Sequence, residues 1–171
     1  AIVISNHVGF ADPFIIQCMI PYRRFYFLAM KELFQKKFVG WVYKNIFLSA
    51  PVDRQKPSLQ TIKYCSEVAK RGNVMCVFPE GHININKDSV DSFKGGAVLM
   101  AYMADKPIIP LYIEKRTNIW HRYRTAIGKP FNVRELVGPT PRQDKIQEVA
   151  KMLAEYEIKL MKLATENTKK K

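Results

Sequence analysis

Short apolar runs separated by polar turns set the rhythm of this chain. A run opening at Ile2 ends abruptly in Ser5, Asn6 and His7, and residues 24–30 (RFYFLAM) are apolar on both alternating faces, as a strand buried on both sides of a sheet should be. Residues 46–49, 74–78, 108–113 and 122–127 predict further strands. Between these runs the period changes to that of a helix. Residues 13–20 predict a short apolar helix, and residues 31–44 a pair of short amphipathic helices broken at Gly40. Ser58 is placed to cap a helix that carries Ile62, Cys65 and Ala69 on one face and stops at Gly72. Phe93, Lys94, Gly95, Gly96 and Ala97 form a glycine-rich entry to a helix ending near Ala104. The longest signal comes last: Ile146, Val149, Leu153, Tyr156, Leu160 and Leu163 recur at three and four residues, predicting an amphipathic helix over 142–165 that covers one side of the sheet.

Length and composition add bounds. With 171 residues, 47% of them hydrophobic, the chain has material for one domain with a sizeable core, and neither a linker nor an internal repeat divides it. Lys and Arg total 28 against 15 Asp and Glu, a net charge of +13, which favours a negatively charged partner such as lipid headgroups, phosphorylated metabolites or nucleic acid. Cys18, Cys65 and Cys76 are odd in number and fall on apolar faces, so they are expected to be reduced core cysteines of a cytosolic protein. No secretory signal and no apolar run of about 18 residues is present, so no membrane span is expected. Ala1 opens directly into a strand, which suggests that a natural N-terminal segment is missing.

The candidate chemistry sits where strands end. His7 and Asp12 are five residues apart, which on a helix leaves them roughly 140° apart and on a strand puts them on opposite faces. Only a turn folds that carboxylate back onto that imidazole, with Asp12 as N-cap and Pro13 at the first helical position. A histidine held so has its tautomer fixed and one ring nitrogen free as a general base. Arg54 lies just past a strand and can clamp a phosphate bidentately, or else pair with Asp53 beside it. Glu80, beside Gly81, is either an acceptor for a substrate hydroxyl or an exposed turn acid. Backbone N–H groups at the glycine-rich helix start, with Lys94 adjacent, suit an anion. Residues 31–44 fit either core packing with solvated lysines or a surface resting on a charged bilayer. Residues 115–129 interleave Arg116, Trp120, His121, Arg122, Tyr123 and Arg124, a pattern able to grip nucleic acid, but no nucleic-acid module accompanies it and an outward strand face is preferred.

Taken together, Asn6-His7 with Asp12, then Val52-Asp53-Arg54, then Phe78-Pro79-Glu80-Gly81, then Pro107 in a Pro-Ile-Ile-Pro run, follow the order and approximate spacing of the four motif blocks of the glycerolipid acyltransferases. Phe93-Lys94 with Gly96-Ala97 matches a further segment common in that family, so the chain resembles it over residues 1–131. The resemblance implies a layered α/β domain with a mainly parallel central sheet flanked by helices, working peripherally at the cytoplasmic face of an anionic membrane. It implies an O-acyltransferase of phospholipid biosynthesis, moving a fatty acyl group from acyl-CoA or acyl-carrier protein to the free hydroxyl of 1-acylglycerol 3-phosphate or a related lysophospholipid. By similarity His7 is the base and Asp12 orients it; Arg54 holds the acceptor phosphate, Glu80 and Gly81 position the acceptor, Pro107 shapes the acyl-donor side, and Asn6 and Lys94 complete the substrate-binding set. Neither a metal, a cofactor nor a covalent acyl-enzyme is expected.

The sequence also departs from the family pattern. His82, Ile83 and Asn84 stand where Thr-x-Ser with a central arginine is frequent, and Gly9 where serine is frequent. Either the acceptor differs, glycerol 3-phosphate being one alternative, or Lys94, His82 or another cation meets the phosphate. A lipid-binding protein of the same fold without turnover is the remaining alternative.

Overall fold

The computed structural model describes residues 1–52, 58–84, 90–114 and 124–166. Its centre is strand β1 (Ile2–Ser5), every residue of which is buried. β1 lies between β4 (Val74–Val77) and β5 (Ile108–Ile113), with β2 (Phe25–Met30) and β3 (Ala50–Val52) beyond β4 and β6 (Thr125–Ile127) beyond β5. Among the described residues the sheet order is β3-β2-β4-β1-β5-β6, parallel throughout except for the antiparallel β6 edge. The mainly parallel α/β architecture expected from the sequence is therefore the one found.

Helices cover both faces because the strands are apolar on both. Ile2 and Ile4 of β1, Met75 and Val77 of β4, and Ile108 pack on one side against α4 (Leu59–Lys70), α5 (Gly96–Ala104), α6 (Val133–Val137) and α7 (Gln143–Glu166). Val3, Cys76, Phe25, Phe27, Leu111 and Ile113 face the other side, meeting Ile16 of α1 (Asp12–Met19) and Phe47 after α3 (Lys37–Asn45). The alternation of Ile2, Val3 and Ile4 between the two cores is the period of a strand expressed as packing.

Most predicted elements appear within a residue or two, and the exceptions have physical causes. The strand expected at 46–49 is instead the turn in which Leu48 takes φ 45°, and the strand itself starts at Ala50. Ile46 and Phe47 donate to the Val42 carbonyl, so this apolar stretch closes α3 rather than joining the sheet. The helix pair over 31–44 breaks at Lys36, between α2 (Lys31–Gln35) and α3, and not at Gly40. Gly40 sits inside α3 because a Cβ there would meet the Phe34 carbonyl oxygen at 2.7 Å. Short α6 was not anticipated; Asn132 caps it through its Oδ1 and Gly138, at φ +88°, ends it. Cys65 and Cys76 are buried as expected, whereas Cys18 is exposed on the outer side of α1. Of the strand expected at 122–127, residues 125–127 are β6 and residues 122 and 123 lie outside the described residues.

The close approach at Gly40 reverses an ordinary expectation. In a helix interior Gly→Ala normally stabilises by about 1 kcal/mol, but here the added methyl meets backbone that cannot rotate away. Gly40→Ala should lower the urea unfolding midpoint; a raised midpoint would show that α2 and α3 separate freely.

Candidate active site

The ladder of β1 stops at Ser5, paired with Leu111 of β5. Asn6 then continues the pairing with its side chain: Nδ2 donates to the Ile113 carbonyl and Oδ1 accepts from the Ile113 N–H, both at 2.8 Å. A carboxamide carries the donor and acceptor of a peptide group, so Asn6 satisfies the end of β5 while the backbone turns away. Asn6, expected among substrate contacts, is thereby a buried brace whose amide nitrogen and oxygen each bond the Ile113 backbone.

Beyond it the chain makes the tight turn that the spacing required. The imidazole Nδ1 of His7 lies 2.7 Å from Asp12 Oδ2. The same oxygen accepts from Val8 N at 2.8 Å and Gly9 N at 2.9 Å. Asp12 is 1% exposed, and three N–H groups converging on one oxygen are what a buried carboxylate requires. That oxygen acts wholly as an acceptor, so the ring donates to it through Nδ1–H and Nε2 is the nitrogen left clear of Asp12. Asp12 is the first residue of α1, with Ala11 at the cap position, so it does not cap the helix as expected. Its carboxylate reaches back into the turn instead, which closes the turn and places the charge at the helix start together.

The rest of the fold clamps the backbone at His7. The Asn6 N–H donates to Glu157 Oε1 of α7 at 2.6 Å, the His7 N–H to Glu80 Oε1 at 3.4 Å, and the His7 carbonyl accepts from Asn84 N at 2.7 Å. The His7 ring stacks on Phe78, with centroids 4.2 Å apart and planes 17° from parallel. Glu80 follows β4 and is almost wholly buried. Burial pushes its carboxyl up to about 7, with Asp91 adding to the rise and the His7 N–H opposing it.

His7 lines a cavity of about 170 Å³ at the C-terminal ends of the parallel strands. Leu28, Ala29 and Met30 of β2, Val52 of β3, Val77 and Phe78 at the end of β4, and Ala97 and Met100 of α5 form its walls, with Phe10, Pro13, Leu33 and Tyr43 towards the other helices. The walls are overwhelmingly apolar. Lys94 is the cationic residue of the lining among the described residues, and no ion-pair partner for it occurs among them. Gly81, at φ +77°, makes room for it: a Cβ there would meet Lys94 Nζ at 2.8 Å. The permissive residue at this turn therefore lets the ammonium fold over the end of β4.

The remaining predicted site residues are distributed differently. Glu80 does not line the cavity; it supports the turn from beneath. Pro107 is exposed at the opposite, N-terminal end of β5, where its carbonyl accepts from Ile2 N. That is roughly 16 Å from His7 at about 3.3 Å per strand residue, too far to shape a donor site at the imidazole. Arg54 and Asp53 lie outside the described residues, as do Arg116, Trp120, His121, Arg122 and Tyr123. His82 is not a free cation: Nε2 is 2.8 Å from Asp91 Oδ2 and Nδ1 is 3.1 Å from the Glu80 carbonyl. Glu80, His82 and Asp91 have ligand-type atoms within 4.8 Å of one another, but both His82 nitrogens are already engaged within the group. Sequence reasoning missed Glu157, although an acid four residues after Leu153 and three before Leu160 falls on the apolar stripe of its helix.

The chain is similar to several known proteins. The family model described as Acyltransferase matches residues 1–114. A 1-acyl-sn-glycerol-3-phosphate acyltransferase of Bacillus subtilis is 33% identical over 111 residues, covering 64% of this chain and 53% of that protein. The protein of the same name from Streptococcus pneumoniae is 33% identical over 111 residues, with 64% and 40% of the two chains covered. Against these curated relatives the chain therefore spans about half of their length or less. The crystal structure of the 1-acyl-sn-glycerophosphate acyltransferase PlsC from Thermotoga maritima superposes with TM-score 0.64 at 19% identity, over 92% of this chain and 64% of that one, and so shares the fold.

The raised Glu80 carboxyl sets a pH dependence. A carboxyl moved from 4.5 in the unfolded chain to about 7 in the fold contributes stability that is complete below the first value and lost as pH rises through the second. Glu80→Gln removes this titration, so its urea midpoint should fall less than the parent's between pH 4.5 and 7; parallel curves would place the Glu80 carboxyl in water.

Proposed function

The chain belongs to the acyltransferase family, and from that premise we propose that it transfers a fatty acyl group from acyl-CoA or acyl-carrier protein to the free hydroxyl of 1-acylglycerol 3-phosphate or a related lysophospholipid, in phospholipid biosynthesis. The observation that carries this is the His7–Asp12 pair, 2.7 Å apart, at the wall of an apolar cavity also lined by Lys94, which has no ion-pair partner among the described residues. Nε2 of His7 takes the proton of the acceptor hydroxyl as its oxygen attacks the thioester carbonyl. The tetrahedral adduct collapses with loss of the thiolate, which recovers the proton from the imidazolium. The products are an ester and a free thiol, and His7 returns to its starting state.

Asp12 stabilises the imidazolium between these proton transfers and keeps Nε2 as the reacting nitrogen. A thioester is already activated, so the step asks for a positioned base and an anion grip and calls on neither a metal nor an acyl-enzyme. Lys94 takes the phosphate role that the sequence left open, since His82 is committed to Asp91; Arg54 is assigned to the same phosphate by family resemblance. The apolar walls suit an acyl chain.

The same proposal places the protein peripherally on the cytoplasmic face of an anionic membrane. No described helix is long and apolar enough to cross a bilayer. Phe38 and Trp41 of α3 are 78% and 57% exposed and stand among the exposed Lys36, Lys37 and Lys44, while Phe10 and Phe14 are exposed beside α1. Aromatic and basic side chains mixed on short helices beside an apolar cavity are the chemistry of a bilayer interface.

In the whole protein, His7→Ala should reduce lysophospholipid-dependent thiol release by roughly 10²–10⁴-fold while leaving the circular dichroism spectrum unchanged. Unaltered release in a folded His7→Ala protein would remove the base from the mechanism. Phe38→Ala with Trp41→Ala should weaken partition onto phosphatidylserine vesicles by about tenfold or more, read by co-sedimentation; equal partition would place the membrane contact elsewhere.

A further inference from the structure

An acid at the centre of an apolar helix stripe is costly unless something in the core uses it. Glu157 is such an acid: it follows Leu153 by one turn of α7, precedes Leu160, and is 0% exposed. Burial raises its carboxyl well above the ordinary range, and the neighbouring Glu80 adds to the rise. Its Oε1 accepts the Asn6 N–H at 2.6 Å, and Oε2 has no hydrogen-bond partner among the described residues.

Asn6 N and His7 N are consecutive amides just past the last strand pair of β1, and the fold supplies each with a buried acid: Glu157 from α7 for the first, Glu80 from the turn after β4 for the second. Glu157 is the closer of the two, at 2.6 Å against 3.4 Å. It also comes from a helix wholly outside residues 1–114, where the family model matches. We propose that Glu157 is a positioning residue for His7: by accepting the Asn6 N–H it fixes the peptide plane from which the His7 turn departs, and through it the angle at which the imidazole meets Asp12 and the cavity.

This rests on the proposed acyl transfer only for its effect on turnover; the geometric part stands without it. If the acceptor is withdrawn, Asn6 N is left buried and unpaired, and the peptide rotates to recover a partner. The His7 ring, one residue further on, rotates with it. The acceptor oxygen is what matters, not the charge. An amide in the same place therefore serves as well.

The test compares three variants of the whole protein. Glu157→Gln keeps an acceptor oxygen, Glu157→Met keeps the volume without one, and Glu157→Asp keeps an acid that no longer reaches. His7 ring resonances are read by long-range ¹H–¹⁵N NMR, with kcat and KM measured alongside. In Glu157→Met and Glu157→Asp the His7 ring nitrogens should shift from the single Nδ1–H tautomer, and kcat should fall roughly tenfold or more with KM changed by less than about twofold. Glu157→Gln should restore both readouts to the parent values. A purely structural role would lower the melting temperature and leave the His7 resonances and the kcat of the folded fraction as in the parent; that result overturns the proposal. So does a Glu157→Gln protein as impaired as Glu157→Met. Either the Met or the Asp variant suffices if the other does not fold. Should the parent transfer no acyl group to any lysophospholipid, the proposed function fails, and the His7 resonances still decide whether Glu157 sets the ring.

Discussion

One carboxylate oxygen holds this site together. Asp12 Oδ2 receives the His7 ring N–H and the backbone N–H groups of Val8 and Gly9 in a pocket closed to solvent. A buried charge persists only if donors surround it, and here the donors are the turn itself. Closing the turn and orienting the imidazole are thus one physical event. The five-residue spacing and the start of α1 at Asp12 both follow from the need to bring these groups to a single atom.

That turn would be loose if it hung from a frayed strand. Asn6 extends the β1–β5 ladder by one residue with its carboxamide, Asn84 binds the His7 carbonyl, and Phe78 lies flat against the ring. Supports thus come from β5, from the segment after β4 and from α7, so the position of one side chain depends on elements spread over most of the chain. The two buried acids, Glu80 and Glu157, are the costly part of this arrangement, since each has one oxygen without a hydrogen-bond partner among the described residues. Their raised carboxyl pKa values are the signature of that cost, and both are spent on the backbone of the same turn.

Around this rigid centre the cavity divides its labour by chemistry. Aliphatic and aromatic walls from β2, β4 and α5 offer nothing to a polar group, whereas Lys94 adds one charge to the same lining as His7. Gly81 suits this turn because its φ of +77° strains any side chain, and without one the Lys94 ammonium can lie close over it.

The sequence by itself determined most of the strands, the long amphipathic helix, the turn joining His7 to Asp12 and the family, because each is written in local periodicity or in a spacing that few backbones satisfy. It did not determine which polar residues face substrate. Asn6, Glu80 and Pro107 belong to motif blocks, yet the first two are spent on the backbone and the third sits at the far end of the sheet. The strand placed at 46–49 failed for a related reason: an apolar stretch can close a helix as readily as join a sheet, and only its partners decide. Glu157 was visible as an acid in an apolar stripe, but its target lies 151 residues away along the chain. Contacts of that range arise from how α7 is laid across the sheet, and no local pattern records them.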